Sequence, residues 1–204
     1  MPDLPDLYIL RHGETLWNVE GRFQGHRDSL LTARGENQAI SMGQALRGLG
    51  SDGFDWCASP APRAVRTAEL ARGAPPDRTD ARLLEIAMGD WTGLTRAAID
   101  ARWPGPEGED LMAFYARIPN GETLAAVAAR ASALLASLTR PTVLITHGIT
   151  SRILRGLILG LPLDTLGQLP GGHGTIFLCR QGRVTIAAAN DSLPPTGGTG
   201  ISAV

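Results

Sequence analysis

Leu7-Tyr8-Ile9-Leu10 and Thr142-Val143-Leu144-Ile145-Thr146 are short, nearly unbroken apolar runs. Runs of this length, with no polar alternation, predict strands buried on both faces of a sheet. Phe54-Asp55-Trp56-Cys57-Ala58 predicts another strand, stopped by Ser59-Pro60. Between them the apolar period lengthens. After Thr32, a plausible N-cap, Ala39, Met42, Leu46 and Leu49 recur at helical spacing, and Gly50 to Gly53 ends the helix. Residues 62–72 predict a helix whose first turn holds Arg63. Leu124, Val127, Ala128, Ala131, Leu134, Leu135 and Leu138 mark a longer one with a single apolar face. A loop from Gly73 is expected to lead into a short strand at 82–85, and a helix is expected from Thr150 to Leu159. Gly174 to Cys179 and Arg183 to Ala189, joined by Gln181-Gly182, predict a closing hairpin.

Strands alternating with helices argue for an α/β fold, a three-layer α/β/α sandwich around a mostly parallel sheet. Residues 94–120 read differently. Two short helical patterns, Leu94 to Trp103 and Glu107 to Arg117, are split by Pro104-Gly105-Pro106, which suggests a small helical insertion over the active site. The chain, 204 residues in all, is expected to form one domain, with a loose Pro/Gly-rich tail over 193–204.

Composition narrows the partners. A net charge of -1 offers no general attraction to nucleic acid or an anionic membrane. No run of 18 apolar residues predicts a membrane span, and the start shows no signal peptide, so the expected setting is cytoplasmic. All 19 basic residues are arginine. Any basic contact to phosphate must therefore use a guanidinium fork or an imidazole, and a P-loop is excluded for want of its lysine. Cys57 and Cys179, far apart and in apolar runs, are expected to be buried free thiols.

Two of the predicted strands end in a His-Gly step: Arg11-His12-Gly13 after the first, His147-Gly148 after the later one. The C-terminal edge of a parallel sheet is where ligands bind, so two imidazoles are expected in one crevice, with Arg11 pointing to an anion.

The longer string Arg11-His12-Gly13-Glu14-Thr15-Leu16-Trp17-Asn18 resembles the signature of the histidine phosphatase superfamily, in its phosphoglycerate mutase-like branch. Gly21-Arg22-Phe23-Gln24-Gly25 and Leu31-Thr32 are similar to the segments that follow there. Ser59 to Glu69, Leu84-Glu85-Ile86 with Gly89-Asp90-Trp91-Thr92-Gly93, and Thr146-His147-Gly148 resemble its later motifs, in the family's order. The resemblance implies His12 as nucleophile, forming a phosphohistidine, with its second ring nitrogen held by a backbone carbonyl such as that of Gly13. It implies Arg11, Asn18, Arg63 and His147 as the phosphate shell, and Glu85 as the general acid in a sheltered position. Gln24, Gly25 and His173 are possible substrate contacts. Glu14 is expected to orient its loop, Arg66 to be structural or to face solvent, and His26 to sit at the rim. No histidine, cysteine or carboxylate set has metal-ligand spacing, so neither metal nor cofactor is expected.

The family contains mutases and phosphatases. A mutase must hold both ends of a phosphorylated acid. Residues 94–120 contain only Arg96, Arg102 and Arg117 against Asp100, Glu107, Glu109 and Asp110. That balance favours a metal-independent phosphatase acting on a small phosphorylated metabolite, as a monomer or homodimer. A phosphoglycerate mutase is the alternative, and a non-catalytic phospho-ligand-binding protein a further one.

Overall fold

The computed structural model describes residues 4–189. Its six strands are β1 (Leu7–Arg11), β2 (Asp55–Ala58), β3 (Arg78–Thr79), β4 (Thr142–Thr146), β5 (Thr175–Arg180) and β6 (Arg183–Ala189). They form one sheet in the order β3-β2-β4-β1-β5-β6. β1, β2, β3 and β4 run parallel, and β5 is antiparallel to both of its neighbours. Seven helices accompany them: α1 (Leu16–Val19), α2 (Ala33–Gly48), α3 (Pro62–Arg72), α4 (Arg96–Arg102), α5 (Leu111–Ala116), α6 (Leu124–Ser137) and α7 (Gly148–Leu159).

The pleat explains the layers. Along β1, Leu7 and Ile9 join one apolar cluster, while Tyr8 and Leu10 join another. The first cluster takes Val127, Ala131 and Leu134 from α6 and Ile149, Ile153 and Leu154 from α7. The second takes Met42 and Leu46 from α2 and Ala64, Ala68 and Ala71 from α3. Because successive side chains face opposite ways, an unbroken apolar strand must be covered on both sides. The α/β/α sandwich follows.

The insertion is no separate unit. Ile99 of α4 and Met112, Phe114 and Tyr115 of α5 enter the same cluster as α6 and α7. Its helices are shorter than the apolar pattern suggested, because Thr95 and Asp110 accept hydrogen bonds from the Ala98 and Ala113 amides and fix where each begins.

Two expectations need correction. The strand expected at 82–85 is instead Arg78–Thr79, followed by a 3₁₀ turn over Ala81–Leu83. Asp80 is the cause: its carboxylate accepts from the backbone and guanidinium of Arg82 and bends the chain. The last long helix begins at Gly148 rather than Thr150, with His147 as its N-cap residue. The hairpin is present, and Gln181 and Gly182 both have positive φ, as a tight two-residue turn requires. Cys57 and Cys179 are buried and free. The tail over 193–204 lies outside the described residues. No helix among the described residues is long and apolar enough to cross a membrane.

Candidate active site

The parallel strands β1, β4 and β2 present their C-terminal ends side by side. β1 delivers Arg11 and His12, the end of β4 delivers His147, and the step from β2 into α3 delivers Ser59 and Arg63. Gly13 is required at this corner: a Cβ there would collide with the carbonyl of Gly35, where α2 begins. The close approach also ties the His12 loop down, since Gly13 N–H donates to Thr67 Oγ1 at 3.0 Å.

His12 is 2% exposed. Its Nδ1 donates to the carbonyl of Gly13 at 2.8 Å, as a carbonyl can only accept. The neutral ring therefore leaves a lone pair on Nε2, which accepts from Arg63 Nε at 3.3 Å. Burial, then the positive charge of Arg63, and then His147 hold His12 well below the usual imidazole range. The ring is neutral at physiological pH, with its unprotonated Nε2 turned to Arg63.

Arg63 is held on every side. Its guanidinium donates to the carbonyls of Arg27 (2.7 Å) and Gly25 (2.8 Å) and pairs with Asp28 at 2.9 Å. Arg11 is the opposite case. It is 7% exposed, yet its guanidinium makes no hydrogen bond among the described residues, and its Nε is buried without an acceptor. Burial pushes it down to about 10, still charged at neutral pH. A buried guanidinium without an acceptor is costly unless an anion completes it.

His147 is fully buried, its Nε2 2.7 Å from Ser59 Oγ and its Nδ1 without a partner. Its ring lies 5.1 Å from that of His12. Burial and then Arg63 hold it well below the imidazole range too. Asn18 uses its Oδ1 to accept from Thr15 N and Oγ1 in a capping box. Gln24 donates to Thr15 Oγ1 at 2.8 Å, which anchors the Gln24-Gly25 loop to the same corner.

Glu85 is half-buried. Its carboxylate accepts from the Ile149 and Thr150 amides, at 3.2 and 3.1 Å, at the N-terminus of α7. Arg82 turns away to Asp80 and leaves Glu85 to the cleft. Arg11, His12, Asn18, Gln24, Gly25, Arg63 and Glu85 thus line one narrow cleft of about 30 Å³.

His173 stands apart from that wall. Its Nδ1 donates to the carbonyl of His12 at 2.8 Å, so it supports the His12 backbone. His26 is exposed and contacts the carbonyl of Glu85 at 2.9 Å. Glu14 accepts from Thr32 Oγ1 and lies 3.6 Å from Arg34, and Arg66 pairs with Glu36 on the surface.

Sequence reasoning did not find Arg22, Phe23, Met88 and Tyr115, which complete the cleft, nor Ser59, Thr67 and Asp28, which hold its members. Arg22, Phe23, Ser59 and Thr67 lay inside motifs already singled out, which was the available signal. The others depend on contacts between segments far apart in the chain.

The chain is 40% identical to a probable phosphoglycerate mutase, GpmB, of Salmonella paratyphi C, over 76% of this chain and 75% of that one. Among solved structures it resembles a mycobacterial glucosyl-3-phosphoglycerate phosphatase complexed with VO3. There the identity is 31% and the TM-score 0.74, over 92% of this chain and all of that one (100%). It also resembles Bacillus stearothermophilus YhfR, at 30% identity and TM-score 0.69, with 90% and 95% covered. The model of the histidine phosphatase superfamily, branch 1, matches residues 7–192, and the chain belongs to that family.

Proposed function

We propose that this protein is a metal-independent phosphatase that hydrolyses phosphate monoesters of small metabolites through a phosphohistidine on His12. In the first step the Nε2 lone pair attacks phosphorus as the ester P–O bond breaks. Glu85, at the edge of the same cleft, gives a proton to the leaving alkoxide. In the second step water attacks the phosphohistidine, Glu85 takes the proton, and inorganic phosphate leaves with Nε2 restored. Arg11, Arg63 and Asn18 line the cleft around the transferring oxygens, with His147 buried beside His12 at 5.1 Å between rings. A broader depression of about 500 Å³, lined by Trp17, His26, Arg27, Met88 and Thr92, shares Met88 with the cleft and offers room for the leaving alcohol.

The observation that carries hydrolysis over transfer is the state of the insertion's arginines. Arg96 pairs with Asp100 and Glu109 and stacks on Phe114. Arg117 pairs with Glu109 and stacks on Trp91. Arg102 stacks on Trp103. None of the three lines the cleft, so none is placed to hold the second anionic end of a bisphosphate.

Mutase activity remains the second reading, favoured by the 40% identity to a probable phosphoglycerate mutase. A coupled assay with 3-phosphoglycerate and catalytic 2,3-bisphosphoglycerate, run beside a phosphate-release assay, separates the two. Release of phosphate from p-nitrophenyl phosphate also rules against a protein that only binds phospho-ligands.

A further inference from the structure

Arg11 borders two cavities. Besides the His12 cleft it lines a separate one of about 370 Å³, together with Arg34, Gln38, Arg152 and the Gly171–His173 loop, with Glu14 the one acid in its wall. Three guanidiniums therefore face a single carboxylate. The one ion pair among them is Arg34 with Glu14, long at 3.6 Å. Arg152 is 5% exposed, and among the described residues its sole hydrogen bond is a 3.5 Å contact with the carbonyl of Gly148. The Nε atoms of Arg11, Arg34 and Arg152 are all buried without an acceptor. The loop is shaped to admit this cluster: Gly171 packs directly on the Arg152 guanidinium, and Gly172 takes a φ of 126° that other residues avoid.

Buried arginines are normally satisfied by carboxylates or carbonyls. Here several forked donors converge on a cavity that supplies almost none. We propose that this cavity is a second oxyanion site, distinct from the His12 cleft, which takes a phosphate group, either free inorganic phosphate or the phosphate of a small metabolite. Tetrahedral oxygens offer the several acceptors that converging guanidinium forks need. Because Arg11 borders both cavities, the two sites are coupled. An anion drawing on Arg11 from one side weakens binding on the other, and the effect is reciprocal.

The test is a calorimetric titration of the full chain with inorganic phosphate, with crystals soaked in selenate as a heavy oxyanion. Two phosphates per chain are expected, and selenate should appear both beside His12 and between Arg34 and Arg152. Arg34→Gln, at a half-exposed position on α2, should weaken the second site by about tenfold or more and leave one phosphate bound. Arg63→Gln should do the reverse. Competition with a phosphorylated metabolite distinguishes the two sources of the phosphate group. A single phosphate per wild-type chain, no selenate between Arg34 and Arg152, or a second site indifferent to Arg34→Gln would overturn the proposal. Binding is read without turnover, so a protein that bound two phosphates and hydrolysed nothing would refute the phosphatase reading alone.

Discussion

At the scale of single residues the site rests on one imidazole kept neutral and one guanidinium kept without a partner. The Gly13 carbonyl fixes the His12 tautomer, and burial beside Arg63 keeps the ring uncharged. Removing that ring should cost turnover at least ~10³-fold in His12→Ala, the scale for a lost covalent nucleophile. Acid-labile, base-stable label from a quenched reaction should appear on the wild type and vanish in the variant. Glu85→Gln tests the acid role separately. It should slow alkyl phosphates far more than p-nitrophenyl phosphate, whose leaving phenolate needs little protonation. Equal losses on both substrates would move the role to another group, Glu14 being the next to test. The same burial sets a pH dependence of stability. His12, His147 and His173 all lie well below 6.5 in the folded chain, chiefly because burial disfavours their charged forms. Below about 6.5 the unfolded chain takes up protons that the folded chain refuses, so stability is complete above that pH and falls as acid is added. Thermal unfolding between pH 7.5 and 5 should show a falling Tm, and His173→Asn should flatten the slope. A Tm that rose on acidification would contradict this burial.

At the scale of elements the strands and the long helices were legible because each carries one dominant signal. Leu7 to Leu10 is apolar on both faces, and the apolar residues of α6, Val127, Ala131, Leu134 and Leu135, recur at helical spacing and are buried. The 82–85 segment was misread because its outcome depends on one side chain, Asp80, capturing Arg82, and no apolar period records that. The site was legible where chemistry and motif coincide in a few consecutive residues, as at Arg11-His12-Gly13. Ser59 against His147 and Asp28 against Arg63 were not, because each pair meets only when separate strand ends are brought together. The insertion is held by charge pairs within its own span. Glu109, whose side chain is 2% exposed, joins Arg96 of α4 to Arg117 beyond α5. Arg117 keeps Asp100 and the Trp91 face in reserve, so breaking the pair should cost less than an isolated buried bridge. Glu109→Ala is expected to destabilise the chain by ~1–3 kcal/mol, read from denaturant unfolding. Its second effect should be a rise in KM, as the insertion that carries Tyr115 loosens over the cleft. An unchanged KM would mean that α4 and α5 are placed by their apolar faces alone.

At the scale of the molecule, the question is where the chain's arginines are spent. Arg11, Arg22 and Arg63 line the cleft, while Arg96, Arg102 and Arg117 are absorbed by acids and aromatic rings of the insertion or its edge. The described residues hold no cluster of three or more metal-ligating side chains, and in the proposed reaction the positive charge that a transferring phosphoryl needs comes from the Arg11 and Arg63 guanidiniums. Activity should therefore survive EDTA and fall with vanadate, which presents trigonal-bipyramidal oxygens to the same donors. The distribution of arginines has a further consequence for the fate of the phosphohistidine. In the proposed reaction, with the insertion's arginines held away from the cleft, the dephosphorylated alcohol leaves before the phosphoryl group can return to it, and water becomes the acceptor. Given 3-phosphoglycerate and 2,3-bisphosphoglycerate, phosphate release should exceed mutase turnover. A mutase rate about tenfold or more above phosphate release would show that an arginine of the insertion reaches the cleft during turnover. Charge reversal at Arg117 would then be the variant to abolish it.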